Sequence, residues 1–99
     1  MVHKVVYEQS ARDDLRSTFW WIVERADHES AHAYVQRIRD RCDRLGTFPD
    51  QGTLRDDVLP GLRTVAFERT AIIAYLSDQK AVRVLRVLRK GRDFEQAFD

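Results

Sequence analysis

The sequence has a single cysteine, Cys42, so no disulfide can form within the chain. That usage is typical of proteins in the reducing cytoplasm. No apolar run approaches the roughly 18 residues that a membrane-spanning helix needs. The N-terminal stretch MVHKVVYEQS also lacks the long apolar region of a signal peptide. We therefore expect a cytoplasmic protein with no membrane segment.

An excess of one charge sign is also missing overall, since the formal net charge is only +1. This balance argues against a general polyanion binder. Residues 80–92, however, carry basic side chains and no acidic ones: Lys80, Arg83, Arg86, Arg89, Lys90 and Arg92. Such a segment can bind a phosphate, a carboxylate or an acidic partner. The 99 residues, 43% hydrophobic and 33% charged, predict one folded domain over residues 1–99.

Residues that could ligate a metal or carry acid–base catalysis do not cluster near that segment. His3, His28 and His32 all lie in the N-terminal third, where we expect surface positions. Asp56 and Asp57 are adjacent in a loop, which is weak evidence for a metal site. We therefore predict no metal site, no catalytic residue, no cofactor and no small-molecule substrate.

Hydrophobic periodicity predicts two helices in the first half of the chain. The first runs from about residue 11 to 25, with Ser10 as its N-cap. The second is capped by Asp27 and ends at Gly46, a glycine typical of helix C-termini. Cys42 lies on the apolar stripe of the second helix and should be packed there. The short connection between the helices predicts an antiparallel hairpin.

Strand-like runs occupy most of the remaining sequence. We predict a first strand at 3–8, a long loop at 47–63, three further strands at 62–69, 71–77 and 81–89, and a last helical turn within 93–99. The predicted fold class is α+β, with the order β-α-α-β-β-β. The N-terminal helical hairpin would pack on one face of a mainly antiparallel sheet, to which the first strand is added.

Arginine recurs at every third position of VRVLRVLRKGRD (82–93), a period that fits neither a strand nor a helix. As a regular strand, the segment would place Arg83 and Arg89 on one face and Arg86 on the other. Arg86 would then need a carboxylate or carbonyl partner if it is buried. The alternative is a basic amphipathic helix, suited to nucleic acid or a membrane surface. The valines and the preceding turn favour a central or near-central strand.

Two adjacent tryptophans lie away from the apolar stripe of the first helix when their angular positions are plotted. Trp20 is expected to pack against the second helix or its own flank, and Trp21 is the stronger candidate for exposure. An exposed Trp21 would serve as a partner surface or lie over arginine side chains.

The chain resembles the ParE branch of the ParE/RelE superfamily, the toxins of type II toxin–antitoxin systems. The resemblance extends from about Tyr7 to Asp93. It rests on an ordered set of short motifs: SARDDL (10–15), FWWIVER (19–25), AYVQRI (33–38), FPDQGTLRDDVLPGLR (48–63), IIAY (72–75) and VLRVLRKGRD (84–93).

The resemblance implies a toxin that inhibits DNA gyrase by binding rather than by catalysis. It also implies a cognate ParD-like antitoxin and a higher-order toxin–antitoxin complex. Candidate target-binding residues are Arg83, Arg86, Arg89, Lys90 and Arg92. Candidate antitoxin-binding residues are Trp20, Trp21, Leu54, Val58, Leu59 and Arg63. An apolar antitoxin helix and an extended arm would cover the toxin surface.

Two alternatives remain open from the sequence. The first is a ribosome-dependent messenger RNA endoribonuclease of RelE type, in which Arg63, Arg86 and Arg89 would stabilise phosphate charge. The second is a non-toxic relative that only binds its antitoxin.

Overall fold

A computed structural model describes residues 2–98. Its helices are α1 (Gln9–Arg25) and α2 (His28–Thr47). Its strands are β1 (Lys4–Tyr7), β2 (Thr53–Leu54), β3 (Arg63–Phe67), β4 (Ala71–Ser77) and β5 (Ala81–Arg89). The predicted α+β class is confirmed. The predicted last turn is a 3₁₀ turn at Gln96–Phe98, and Asp99 lies outside the described residues. No helix within residues 2–98 is both long and apolar enough to cross a membrane.

The two helices form the predicted hairpin, but their ends differ from the prediction in two places. α1 follows Glu8, which makes no side-chain capping bond, so the prediction that Ser10 is the N-cap is wrong. Asp27 does cap α2, since its carboxylate accepts a hydrogen bond from the Ser30 amide at 2.6 Å. Gly46 lies inside the last turn of α2 rather than after it. A Cβ atom there would lie 2.6 Å from the carbonyl oxygen of His3, so close packing on β1 requires the glycine.

The sheet has five strands in the order β1-β5-β4-β3-β2. β1 runs parallel to β5, and the other neighbouring strands are antiparallel. The predicted near-central position of the arginine-rich strand is therefore confirmed. The prediction of an uninterrupted loop over 47–63 is wrong, because Thr53 and Leu54 pair with Thr64 and Arg63.

One face of the sheet packs on the helical hairpin and forms the core. The buried residues of this core include Leu15, Ile38, Cys42 and Leu45 from the helices and Phe67, Ile73, Tyr75, Val82, Val84 and Val87 from the strands. Burial of this apolar area is the main source of stability. The predicted packing of Cys42 is confirmed, since its side chain is fully buried.

A β-bulge interrupts the middle of β5. Tyr75 pairs with Val84, whereas the preceding residue Ala74 pairs with Arg86, so Leu85 is an extra residue in the ladder. Residues paired across a sheet point to the same face. The bulge therefore places Arg86 on the face of Arg83, and it places Arg89 on the opposite face, toward the helices. The prediction that Arg83 and Arg89 share a face is wrong, because it assumed an unbroken period of two.

Candidate functional site

A groove of about 900 Å³ opens between the helical hairpin and the end of β5. Its apolar lining comes from both helices and includes Trp21, Ile22 and Ala33. Its cations come from α2, the β3–β4 turn and the segment that ends β5: Arg37, Arg69, Arg89, Lys90 and Arg92. Among the described residues, no carboxylate and no imidazole lines it. The groove is thus a basic surface around an apolar floor.

Arg89 is the central cation of this groove. Its guanidinium lies over the Trp21 ring, 4.7 Å from the ring centroid. Its Nη1 atom is buried and has no hydrogen-bond partner within residues 2–98. Burial lowers the pKa of Arg89, and repulsion from Arg92 and Arg25 lowers it further. The local positive charge is therefore in excess, which is favourable for an anionic ligand.

The two tryptophans differ in what covers them. Trp21 has a second guanidinium, that of Arg25, 4.3 Å from its ring centroid, and is 42% exposed. Trp20 is 51% exposed and contacts Phe19 and His28 edge-on. The predicted contact of Trp20 with the second helix is confirmed. The expectation that Trp21 is the more exposed of the two is wrong, because two arginine side chains lie over its ring.

Hydrogen bonds fix the rim of the groove at the β3–β4 turn. The Tyr34 and Thr70 hydroxyls are 2.6 Å apart, and Arg37 binds the Glu68 carboxylate through Nε at 2.8 Å and Nη2 at 3.0 Å. This pair lowers the pKa of Glu68. Glu68 and Arg69 both have positive φ, which is uncommon for residues other than glycine. The Arg37–Glu68 pair therefore helps to hold a turn that places Arg69 at the groove.

The segment after β5 is bent so that its cations stay at the groove. Gly91 has a φ of 95°, a conformation that favours glycine. The Lys90 amide donates to the Thr70 carbonyl at 2.7 Å, which ties this segment to the β3–β4 turn. Lys90 and Arg92 consequently line the same groove as Arg89.

The other two candidate arginines of β5 do not line the groove. Arg86 donates to the Asp14 carboxylate through Nε at 2.7 Å and Nη2 at 2.9 Å, and to the Ala97 carbonyl through Nη1 at 3.1 Å. The bond to Asp14 raises the pKa of Arg86. Arg83 pairs with Glu8 on the surface at 2.8 Å. The predicted need of Arg86 for a carboxylate partner is confirmed.

The remaining antitoxin candidates lie at the other end of the sheet. Leu54 is 48% exposed on the edge strand β2, and Val58 and Leu59 are half-buried in the loop that follows. Arg63 donates to the carbonyls of Asp50 and Gly52 at 3.3 and 2.8 Å. β2 is three strands from β5, which corresponds to roughly 14 Å across a sheet. The structure does not bring these residues together with Trp20 and Trp21.

Two important residues escaped the reasoning from sequence. The Asp14 carboxylate lies on the apolar stripe of α1 and also accepts a hydrogen bond from the Val87 amide at 2.9 Å. In the sequence, an acidic residue among the apolar positions of the first helix was the available sign that Asp14 has a buried partner. The buried Tyr75 hydroxyl donates to the Pro49 carbonyl and accepts from the Gly52 amide, which fixes the loop before β3. Only the tertiary fold shows that contact, since the partners are distant in sequence.

The histidines do not form a metal site in the described part of the chain. No group of three or more His, Cys, Asp or Glu side chains within residues 2–98 is arranged to hold a metal ion. His28 and His32 are exposed, as predicted, and their rings contact Phe19. His3 is half-buried, so the prediction of a surface position is wrong for this residue.

Comparisons with known proteins agree with one another. The family model for the ParE toxin of the type II toxin–antitoxin system parDE matches residues 5–94. Toxin ParE3 of Caulobacter vibrioides is 31% identical over 85 residues, which cover 86% of this chain and 84% of that protein. A solved structure of the chromosomal ParDE toxin–antitoxin system from P. aeruginosa has a TM-score of 0.77 and 26% identity, and the match covers 89% of this chain and 96% of that chain. The chain therefore belongs to the ParE toxin family of type II toxin–antitoxin systems.

Proposed function

We propose that this toxin inhibits DNA gyrase by binding, without catalysis, and that a cognate ParD-like antitoxin neutralises it in the cytoplasm. Family membership supports the toxin class. One observation carries the binding mechanism: the groove presents Arg89, Lys90 and Arg92, and among the described residues no carboxylate or imidazole lines it. Cleavage of RNA would require a proton acceptor and a proton donor beside the cations, and the one phenol of the lining in residues 2–98, that of Tyr34, is already hydrogen-bonded to Thr70. A surface of this kind is better suited to holding acidic groups of a target.

The arginines of β5 divide between two roles in this proposal. Arg89, with Lys90 and Arg92, contacts the target, since these cations face the open groove. Arg86 and Arg83 serve the fold, because each already binds a carboxylate of the same chain. The division follows the bulge at Leu85, which separates Arg89 from the other two.

The antitoxin would bind two separate regions of the toxin. Trp20 and Trp21 offer an exposed aromatic surface on α1, and Leu54 offers an exposed apolar side chain on β2. An apolar helix on the first region and an extended arm toward Val58 and Leu59 would cover both. Arg63, which is bound to loop carbonyls, would contribute by holding that loop in place. A ParD-like antitoxin that bridges two regions is consistent with a higher-order hetero-oligomer.

A supercoiling assay with purified gyrase and plasmid DNA tests the target. The protein should block supercoiling or cause cleaved DNA to accumulate at micromolar concentration. The Arg89→Ala variant should need about 10–100-fold more protein, because a lost hydrogen bond to a charged group is worth about 1.5–3 kcal/mol. Arg83→Ala is the matched control, since this arginine belongs to the same strand but does not line the groove. If the wild-type protein has no effect on gyrase, the target assignment fails.

Expression without antitoxin tests the role of Arg89 in the cell. Arg89→Ala should relieve growth arrest to a degree that its loss of stability, measured as the urea midpoint of the purified protein, does not explain. Growth arrest equal to that of wild type would remove Arg89 from the target site. Codon-phased cuts in messenger RNA, detected by primer extension, would indicate a ribonuclease of RelE type instead. No growth arrest by the wild-type protein would favour a relative that only binds its antitoxin.

A further inference from the structure

We propose that the end of the groove lined by Trp21, Arg89 and Arg92 binds a dianionic phosphate group. The phosphate would belong to a free phosphate ester or to the phosphorylated end of a nucleic-acid strand. This inference does not depend on gyrase as the target.

Arg89 has hydrogen-bonding capacity that the protein leaves unsatisfied. A guanidinium has five N–H donors in a planar fork that fits two oxygens of one phosphate. The Nη1 atom of Arg89 is buried and has no acceptor within residues 2–98. A buried donor without an acceptor is unfavourable, and such groups are rare in folded proteins. Arg89 also lines the groove, so an oxyanion there would supply an acceptor to the part of the guanidinium that the groove exposes.

The charge around Arg89 is predominantly positive. Arg25 lies over the Trp21 ring and is paired with Glu24 at 3.8 Å, whereas Arg92 lines the groove together with Arg89. Repulsion from both contributes to the lowered pKa of Arg89, after the larger effect of burial. The negative charge of Asp14 raises the pKa of Arg89 and so opposes this repulsion. The Asp14 carboxylate, however, already accepts three hydrogen bonds from Arg86 and the Val87 amide. Arg89 and Arg92, which line the groove, have no carboxylate within ion-pair distance in residues 2–98.

The number of cations that line the groove favours one class of anion. Among the cations that line the groove, Arg37 is the one that forms an ion pair within residues 2–98. Its partner is the Glu68 carboxylate. Arg69, Arg89, Lys90 and Arg92 remain for a ligand. A carboxylate brings one negative charge, whereas a phosphate monoester brings about 1.5–2 and three strong acceptor oxygens. Several converging guanidinium groups therefore match a dianionic phosphate better than a single carboxylate.

The test uses the full chain with Trp20→Phe, so that Trp21 is the fluorescent reporter. The probes are pyrophosphate and a short single-stranded oligonucleotide with or without a 5′-phosphate, each followed by Trp21 fluorescence and by calorimetry. Saturable binding is expected, and Arg89→Gln should weaken it about 10–100-fold, the equivalent of one charged hydrogen bond. Arg92→Gln, on the exposed turn after β5, should also weaken it even if Arg89→Gln disturbs the fold. Arg83→Gln should leave the affinity unchanged.

The outcomes distinguish the sources of phosphate and the competing ligands. Binding of pyrophosphate alone identifies free phosphate esters as the source. Preference for the 5′-phosphorylated strand identifies the strand end. If a hexaglutamate peptide binds as tightly as pyrophosphate, the site is a carboxylate site and the proposal is wrong. It is also wrong if neither probe binds saturably, or if both Arg89→Gln and Arg92→Gln bind like the wild type.

Discussion

The buried pair between Asp14 and Arg86 can be tested by removing its acid. The Asp14 carboxylate binds two guanidinium nitrogens of Arg86 and the Val87 amide, at 2.7 to 2.9 Å. The two side chains are only 9% and 20% exposed. In Asp14→Ala, Arg86 would lose both bonds to the carboxylate and keep its bond to the Ala97 carbonyl at 3.1 Å. The Val87 N–H would lose its acceptor. A buried charge and a buried backbone donor would both be left without their partner.

The expected loss of stability is large for a domain of this size. Breaking a buried ion pair from one side costs about 3–5 kcal/mol, out of roughly 5–15 kcal/mol for a typical domain. With a urea m-value of about 1.5 kcal/mol/M, the midpoint should fall by about 2–3 M. Urea unfolding followed by circular dichroism measures this shift directly.

Two further variants separate the pair from ordinary packing. Replacing both partners, as Asp14→Leu with Arg86→Met, removes the isolated charge and should recover much of the loss. A deficit of about 1–3 kcal/mol should remain, because the Val87 N–H still lacks an acceptor. Arg83→Gln, which breaks an exposed pair on the same strand, should unfold close to wild type. If Asp14→Ala costs less than about 1 kcal/mol, the assignment of Arg86 to the fold is wrong.

Three further predictions follow from buried contacts. Gly46→Ala should lower stability by about 1–3 kcal/mol in urea unfolding, because its methyl group would lie 2.6 Å from the backbone oxygen of His3; unchanged stability would mean that β1 can move aside. Tyr75→Phe should cost about 1–3 kcal/mol and increase hydrogen exchange at the Gly52 amide, which would lose its acceptor; full protection of that amide would contradict this. Burial raises the pKa of Cys42 from 9.0 to about 11, so the native thiol should resist a thiol reagent at pH 9 while the urea-unfolded chain reacts. The Cys42 thiol ionises at a lower pH in the unfolded chain than in the native protein. Its contribution to the free energy of unfolding is therefore complete below pH 9 and declines as the pH rises through 11. Equal reaction rates of native and unfolded protein at pH 9 would refute the burial of the thiol.

The sequence was sufficient for the order of the two helices and the four longer strands, and for most of their boundaries. β4 and β5 begin and end where their apolar runs predicted, and the Asp27 cap correctly marked the start of α2. The two-residue strand β2 was missed because Thr53 and Leu54 are too few to show alternation. The bulge was missed for another reason. Leu85 is an apolar residue within an apolar strand, so no glycine or polar side chain marks the extra residue.

The candidate site was only partly predictable for the same physical reason. The cluster of basic residues was visible, but the side of the sheet that each arginine faces depends on the ladder register. Exposure of the two tryptophans likewise depends on which long side chains fold back over them, and Arg25 and Arg89 both lie over Trp21. Arg25 is one helical turn from Trp21, but the Arg89 contact joins residues far apart in sequence, beyond the reach of a periodicity argument.

The bulge at Leu85 decides which face of the sheet each of the regularly spaced arginines occupies. In a regular strand, residues six apart share a face, so Arg89 would lie with Arg83 and away from the helices. One extra residue between them reverses the face of everything that follows. Arg86 then reaches Asp14 from the far face, and Arg89 reaches Trp21 on the helix face. A regular strand with this spacing would also put Arg86 and Arg89 on opposite faces, but with Arg86 toward the helices and Arg89 away from them; the bulge exchanges the two, so that Arg89 faces the open groove.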